Sequence, residues 1–316
     1  MNTAYESQSY ATMRQCKEYV NSRNKTQSTV FAGVTALELY GIAFPKADTS
    51  TKRENIHIQV SQASNRRKSE TAVQHVWQHN TALTALASNM YVVDVVTAWA
   101  QLGQHSALPA LVATAENILH ICNSKTAQQT VIKCPLVNKY TMYQQIKNMP
   151  KFKGKAKCLL ALGMVRENVY SVQETYTRLC LISHGLPEPR TNVVVANHIF
   201  NSGAPATLDL VWERQQVAIE YDGDHHRTDK EQWRRDKNKR EVLQSRGWII
   251  YSATANDLMN ARTRSQLAFL VGRYLMERGA QFDFTILAQP LEKFAKKELR
   301  NFEQHIAAYE AKREGI

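Results

Sequence analysis

Two apolar runs of strand length, Leu208-Asp-Leu-Val-Trp212 and Val217-Ala-Ile-Glu-Tyr-Asp222, lie four residues apart, and acids interrupt both. Strand side chains alternate between faces, so Asp209 shares a side with Thr207 and Val211, and Glu220 shares one with Asp222. A tight connection centred on Arg214 and Gln215 sets Asp209 opposite Glu220, with Cβ atoms about 5 Å apart. A slip of two residues would leave the faces unchanged. Leu208 and Leu210 mark the first run as a core strand, where a carboxylate needs a partner or a metal. The chain must therefore fold around a sheet that carries acids on one of its faces.

The flanking sequence alternates helix and strand signals. Ser171 precedes a stripe of Val172, Tyr176, Leu179 and Ile182 that Gly185 and Pro187 end. Strands are predicted at Asn192 to Phe200, Thr207 to Trp212 and Val217 to Asp222. A charged helix from Thr228 to Arg246 stops at Gly247, a strand follows at Trp248 to Ser252, and a helix runs from Asp257 to Arg278. Upstream, Ser28 to Gly41 reads as a helix, Asn55 to Val60 and Ala72 to Trp77 as strands. Val92 to Ile121 is helical with a break near Pro109, and Tyr140 to Gly163 is helical at both ends. After Pro290 a last helix carries Leu291, Phe294, Leu299, Phe302, Ile306 and Tyr309 near heptad spacing. That stripe suits either packing on its own domain or a homodimer seam. The expected domains are 1–165, an α+β domain, 166–285, an α/β domain, and 286–316, an amphipathic helix.

Charge divides the chain unevenly. Of the net +12, residues 1–165 hold 18 Lys plus Arg against 8 Asp plus Glu, a surplus of +10. Arg66, Arg67 and Lys68 cluster in one predicted loop, and Lys151, Lys153, Lys155 and Lys157 surround Gly154. Such a surplus suits a polyanion, and equally a solubilising surface. No apolar run approaches the ~20 residues a bilayer needs, and the polar N-terminus lacks a signal-peptide pattern, so a cytoplasmic protein without a membrane partner is expected. Cys16, Cys122, Cys134, Cys158 and Cys180 form no Cys-x-x-Cys pair, which predicts reduced, buried thiols.

Acids crowded on one face repel, and at least one should hold its proton unusually tightly. A divalent cation reverses that cost, because Mg²⁺ (or Mn²⁺) takes carboxylate oxygens as ligands. Bound there, it can hold a scissile phosphate and activate water. His225 and His226 follow Asp222-Gly223 and are able to move protons near neutral pH. Ser171 and Glu174 have the spacing of a capping box, and Thr228 with Glu231 repeats it.

The string Ser171-Val-Gln-Glu174, Gly185-Leu-Pro-Glu-Pro189, Leu208-Asp-Leu-Val-Trp212 and Val217-Ala-Ile-Glu-Tyr-Asp-Gly-Asp-His-His226 resembles a bacterial family related to the very-short-patch-repair (Vsr) endonucleases, within the PD-(D/E)xK superfamily. Trp233-Arg-Arg-Asp236, Arg240, Leu243 and Gly247-Trp248 continue the likeness. The resemblance implies a restriction-endonuclease-like fold, a central mixed sheet flanked by helices, and a Mg²⁺-dependent endonuclease acting on double-stranded DNA. It implies Asp209, Glu220 and Glu174 as metal ligands. Asp222 stands where that superfamily usually has lysine; Vsr-like members use histidine, which implies His226 or His225 as proton carrier. Arg235 on the charged helix would reach a phosphate, while Asp236 and Arg240 have the spacing of an ion pair. More weakly, Ala36 to Gly41, Ile56 to Val60 and Val73 to Trp77 resemble proteins similar to type IV abortive-infection antitoxins. That likeness implies the alternative of a non-catalytic, DNA-binding regulatory protein.

Overall fold

The computed structural model describes residues 2–23, 27–45, 55–66, 69–124, 130–199, 205–222 and 230–314. They form two compact units, one of residues 1–167 with 294–316 and the other of residues 168–293. Each unit carries a mixed sheet flanked by helices, so the chain is α/β.

In the first unit, α1 (Asn2–Asn21) was not expected from the sequence. Its buried stripe is Ser9, Thr12 and Cys16 rather than a run of large apolar residues. Thr12 Oγ1 donates to Glu38 Oε2 at 3.1 Å, which satisfies both groups inside the core. The stretch predicted as one helix from Ser28 begins instead as β1 (Thr29–Phe31), and α2 spans Gly33–Leu39. The chain turns between them at Gly33, whose φ of 47° is left-handed. β2 (Ile56–Val60) and β3 (Ala72–Val76) lie where the alternation placed them. β4 (Leu83–Ala87) and β5 (Met90–Val93) complete a sheet of order β3-β2-β1-β5-β4. Helices α3 (Val95–Gln101) and α4 (Leu108–Cys122) divide the long helical stretch, with Pro109 in the first turn of α4, where its missing N–H costs nothing. α5 (Lys139–Asn148) and α6 (Lys155–Met164) flank the break at Pro150 and Gly154.

Cys122 and Cys134 are joined in a disulfide, their Cα atoms 5.0 Å apart. This corrects the expectation of five reduced thiols. A disulfide needs the two Cα atoms close in space, which a returning chain provides as well as a Cys-x-x-Cys turn does. Cys16, Cys158 and Cys180 are free and buried, and burial pushes each thiol up to about 12.

In the second unit, α7 (Val172–Ser183) leads into β6 (Arg190–Ile199), β7 (Pro205–Trp212) and β8 (Val217–Tyr221). α8 (Lys230–Ser245) crosses over to β9 (Ile249–Ala253), which pairs parallel to β8. The strand order is β6-β7-β8-β9. α8 ends where Gly247, with φ 88°, lets Gly247 N donate to Gln244 O and Trp248 N to Leu243 O. The helical stretch predicted from Asp257 is divided into a short α9 (Ala255–Leu258) and α10 (Ala261–Glu277). Leu210, Trp212, Val217 and Ile219 pack with Leu181 of α7 and Leu267 and Val271 of α10. Val211, Ala218 and Ile250 form a second cluster with Leu243 of α8. Asp209 and Glu220 continue the alternation of this second cluster, which places them on the sheet face that α8 covers.

The last helix, α11 (Leu291–Glu314), joins the first unit from Phe294 onward. Phe302 meets the Tyr143 ring edge-on at 5.4 Å, Tyr143 Oη donates to Glu303 Oε1 at 2.7 Å, and Arg166 pairs with Glu298 at 2.7 Å. Phe302 of the stripe thus packs on its own chain, while Tyr309 is exposed. No described helix is long and apolar enough to cross a membrane.

Candidate active site

The β7–β8 ladder runs Leu210↔Ile219, Val211↔Ala218 and Trp212↔Val217, so one further step sets Asp209 opposite Glu220. The connection is a short 3-10 turn over Glu213–Gln215 with Gln216 left-handed, and its centre keeps the expected register. Asp209 Oδ2 accepts from Tyr221 N at 2.9 Å. Burial, with the Glu174 charge next in weight, raises the Asp209 carboxyl from its ordinary value to about 7; Glu220 adds to the rise, while the Tyr221 N–H and Lys239 oppose it.

Lys239 completes this arrangement, and the sequence reading missed it. It sits on α8 four residues before the core residue Leu243, so both project to the sheet. It is only 8% exposed, a depth at which a lysine needs partners. Its Nζ donates to Thr207 O at 3.0 Å and to Glu220 Oε1. Arg240 Nη2 lies 3.8 Å from Glu220 Oε2. The parallel ladder sets Ser252 of β9 beside Glu220. Among the described residues, the buried atoms Ser252 Oγ and Arg240 Nε have no hydrogen-bond partner. Two residues that neighbour Glu220 thus each carry an orphaned polar atom. The signal for Lys239 was present in the spacing from Leu243, but a lysine in so polar a helix reads as solvated.

Glu174 serves two purposes. Ser171 Oγ accepts from Glu174 N at 3.1 Å, and Glu174 Oε2 accepts from Tyr170 N at 3.1 Å, so the carboxylate helps close the helix start. The same oxygen accepts from Asn192 Nδ2 at 2.6 Å. Asn192 holds a left-handed φ of 47° inside β6, where only a short polar side chain is commonly tolerated. Glu174 is buried beneath these bonds, yet near enough to Asp209 for its charge to raise that carboxyl.

The other expected site residues are dispersed or lie outside the described residues. Asp222 is exposed at the end of β8, its N–H donating to Ala253 O at 2.8 Å. His225 and His226 fall outside the described residues, as do the side chains of Arg235 and Asp236, and with them the expected Asp236–Arg240 pair. Among the described residues no three His, Cys, Asp or Glu side chains converge as a closed metal cage requires.

In the basic first unit, Lys151 and Lys153 are exposed. Lys155 Nζ donates to Lys147 O and Met149 O at the end of α5, and Lys157 Nζ to Ser106 O at 2.9 Å. These two lysines cap carbonyls, a use that basic residues find at chain turns and helix ends. Arg66 is exposed, with Nη2 3.4 Å from Gln74 O; Arg67 and Lys68 lie outside the described residues.

The chain is similar to two proteins of Mycobacterium tuberculosis, Uncharacterized protein MT2308 of strain CDC 1551 / Oshkosh and Uncharacterized protein Rv2248 of strain H37Rv. Each is 30% identical over 105 residues, which is 33% of this chain and 37% of the relative. The chain thus matches little more than a third of those relatives' length. No protein-family model and no solved structure matches it.

Proposed function

We propose that residues 168–293 form a metal-dependent endonuclease that hydrolyses phosphodiester bonds in double-stranded DNA, on a Vsr-like variant of the PD-(D/E)xK fold. One observation carries this reading: a core strand holds Asp209 opposite a second carboxylate, at a pKa of about 7. Such a pair works against folding unless a cation offsets it.

The residues fit Mg²⁺ or Mn²⁺. Mg²⁺ is commonly held by one or two carboxylates, with waters and substrate phosphates filling the rest, so a cage of three protein ligands is not required. Asp209 and Glu220 supply hard oxygen ligands, and the orphaned Arg240 Nε and Ser252 Oγ beside Glu220 await a polar ligand. Bound there, the ion supplies charge neutralisation at the phosphate and a lowered pKa for the attacking water. Lys239 holds one Glu220 oxygen in place and leaves the other toward Arg240. Glu174 tunes Asp209 by its charge while staying tied to Asn192 and Tyr170. Arg240 would donate to a phosphate oxygen, and the resemblance assigns proton transfer to His226 or His225. The basic first unit would hold the duplex backbone through counterion release.

One observation favours the alternative of a non-catalytic, DNA-binding regulatory protein: Lys239 already neutralises Glu220 from within the chain. A plasmid-nicking assay separates the two. Nicking that requires Mg²⁺ or Mn²⁺, and that Asp209→Asn and Glu220→Gln each lower by at least ~100-fold, supports the nuclease. DNA binding without metal-dependent nicking supports the regulator. Variants that cut at the wild-type rate overturn the site.

A further inference from the structure

The first unit holds a polar cavity of about 350 Å³ that the nuclease reading leaves unused. It opens where β1 and β2 part. Their antiparallel ladder is a single step, Phe31↔Ile58, whereas β2 keeps five steps with β3. Past that step, Val30 and Gln59 diverge and both line the cavity, with Arg23 from the end of α1 and Ser28 before β1. No acid lines it.

A relay of amides fixes which atoms face the cavity. Gly33 N can only donate, and it donates to Gln101 Oε1 at 2.9 Å. That choice turns Gln101 Nε2 outward, where it donates to Gln59 Oε1 at 2.8 Å. Gln59 therefore presents its NH₂ group, two donors with no partner among the described residues, at the cavity wall. Arg23 gives one N–H to Tyr19 Oη at 2.5 Å and lies 5.3 Å from that ring's centroid. The contact holds the guanidinium at the site while leaving other donors unspent, and no carboxylate neutralises it among the described residues. Val20 and Val60 add apolar wall.

We infer that this cavity binds a nucleoside monophosphate unit. The Arg23 guanidinium suits a phosphate, and a guanidinium matches phosphate geometry better than any other side chain. The Gln59 NH₂ group and the Ser28 hydroxyl suit the carbonyl and ring-nitrogen acceptors of a base. Val20 and Val60 suit its flat face. The volume falls in the range of small-molecule sites and exceeds what a bare phosphate would fill. A free mononucleotide and an unpaired nucleotide of a single strand share this chemistry.

Calorimetric titration of the full chain in metal-free buffer tests it. The probes are the four deoxynucleoside monophosphates, their parent nucleosides, inorganic phosphate and a ten-residue oligothymidylate. At least one monophosphate should saturate with a Kd between about 10 μM and 1 mM. Its nucleoside and inorganic phosphate should each bind at least ~10-fold more weakly, and Arg23→Gln should lose ~10-fold or more. Gln59→Met, which keeps the side chain's volume but leaves the buried Gln101 Nε2 without its acceptor, should lose several-fold while a cooperative melting transition, at a lowered Tm, shows that the fold survives. Tighter binding of the oligothymidylate than of the monophosphate identifies a strand as the occupant, and the reverse identifies a free nucleotide. Absence of saturation by any probe up to about 5 mM overturns the site. Phosphate alone binding as well as the nucleotides, or both variants binding like the wild type, overturns it too.

Discussion

Replacing Asp209 by asparagine should make the protein more stable at alkaline pH, and the gain should vanish as pH falls. An aspartate in an unfolded chain titrates near 3.9, whereas burial, Glu174 and Glu220 raise Asp209 to about 7. The folded state thus holds the Asp209 proton more tightly than the unfolded state does. Its contribution favours folding below about pH 4, is lost progressively between about pH 4 and 7, and does not return above that. The difference corresponds to about 4 kcal/mol against the ionised form. Local relaxation and residual solvent reduce this to about 2 kcal/mol in practice. Asparagine removes the charge while its Oδ1 can still accept from Tyr221 N, so most of that should be recovered. For a unit of this size the gain at pH 8 is roughly 4–8 °C in Tm. Scanning calorimetry of both full chains at pH 5 and pH 8 reads it. The gap should shrink by roughly a third at pH 5, and millimolar Mg²⁺ at pH 8 should raise the wild type's Tm more than the variant's. A variant no more stable than wild type at pH 8, or a gap independent of pH, would refute the view that Asp209 is an electrostatically strained acid.

Two further outcomes follow from buried contacts. Lys239→Met strands the Glu220 carboxylate and the Thr207 carbonyl together, and should cost about 2–4 kcal/mol in urea unfolding, most of it retained by Lys239→Arg. Gly33→Ala places a Cβ 2.8 Å from His75 Nε2 and 3.1 Å from His57 Nδ1 at a φ of 47°, which should cost about 2–4 kcal/mol in the first unit's unfolding transition.

The second unit was legible because its elements follow simple periods. Leu210, Trp212, Val217 and Ile219 alternate with Asp209, Val211, Ala218 and Glu220, and the Arg214–Gln215 centre fixes the register. What the pattern could not show was which cation would answer the acids. Strand periodicity says where carboxylates point, but the residue that meets Glu220 comes from α8 across the sheet, and only the tertiary crossing of that helix brings Lys239 in. Glu174 was ambiguous between cap and site, and the fold removes the need to choose. One oxygen accepts at the helix start and from Asn192, while the charge acts on Asp209 through space.

The first unit was harder to read for a different reason. Among its mostly apolar buried side chains lie polar groups that satisfy each other: Thr12 with Glu38, His57 Nδ1 with His75 Nε2 at 2.8 Å, Gly33 with Gln101 and Gln59. A hydropathy pattern scores each of these as surface, so α1 had no visible apolar stripe. The same property gives the unit its chemical content. A core of apolar side chains leaves nothing to direct toward a ligand, whereas an amide relay anchored on a backbone N–H delivers oriented donors to a cavity wall. The basic charge that marked this unit as a partner for polyanions is in part spent on its own carbonyls, as Lys155 and Lys157 are. An anion is better met by groups such as Arg23 that have no carboxylate partner among the described residues, and counting lysines along the chain overstates how many of those there are.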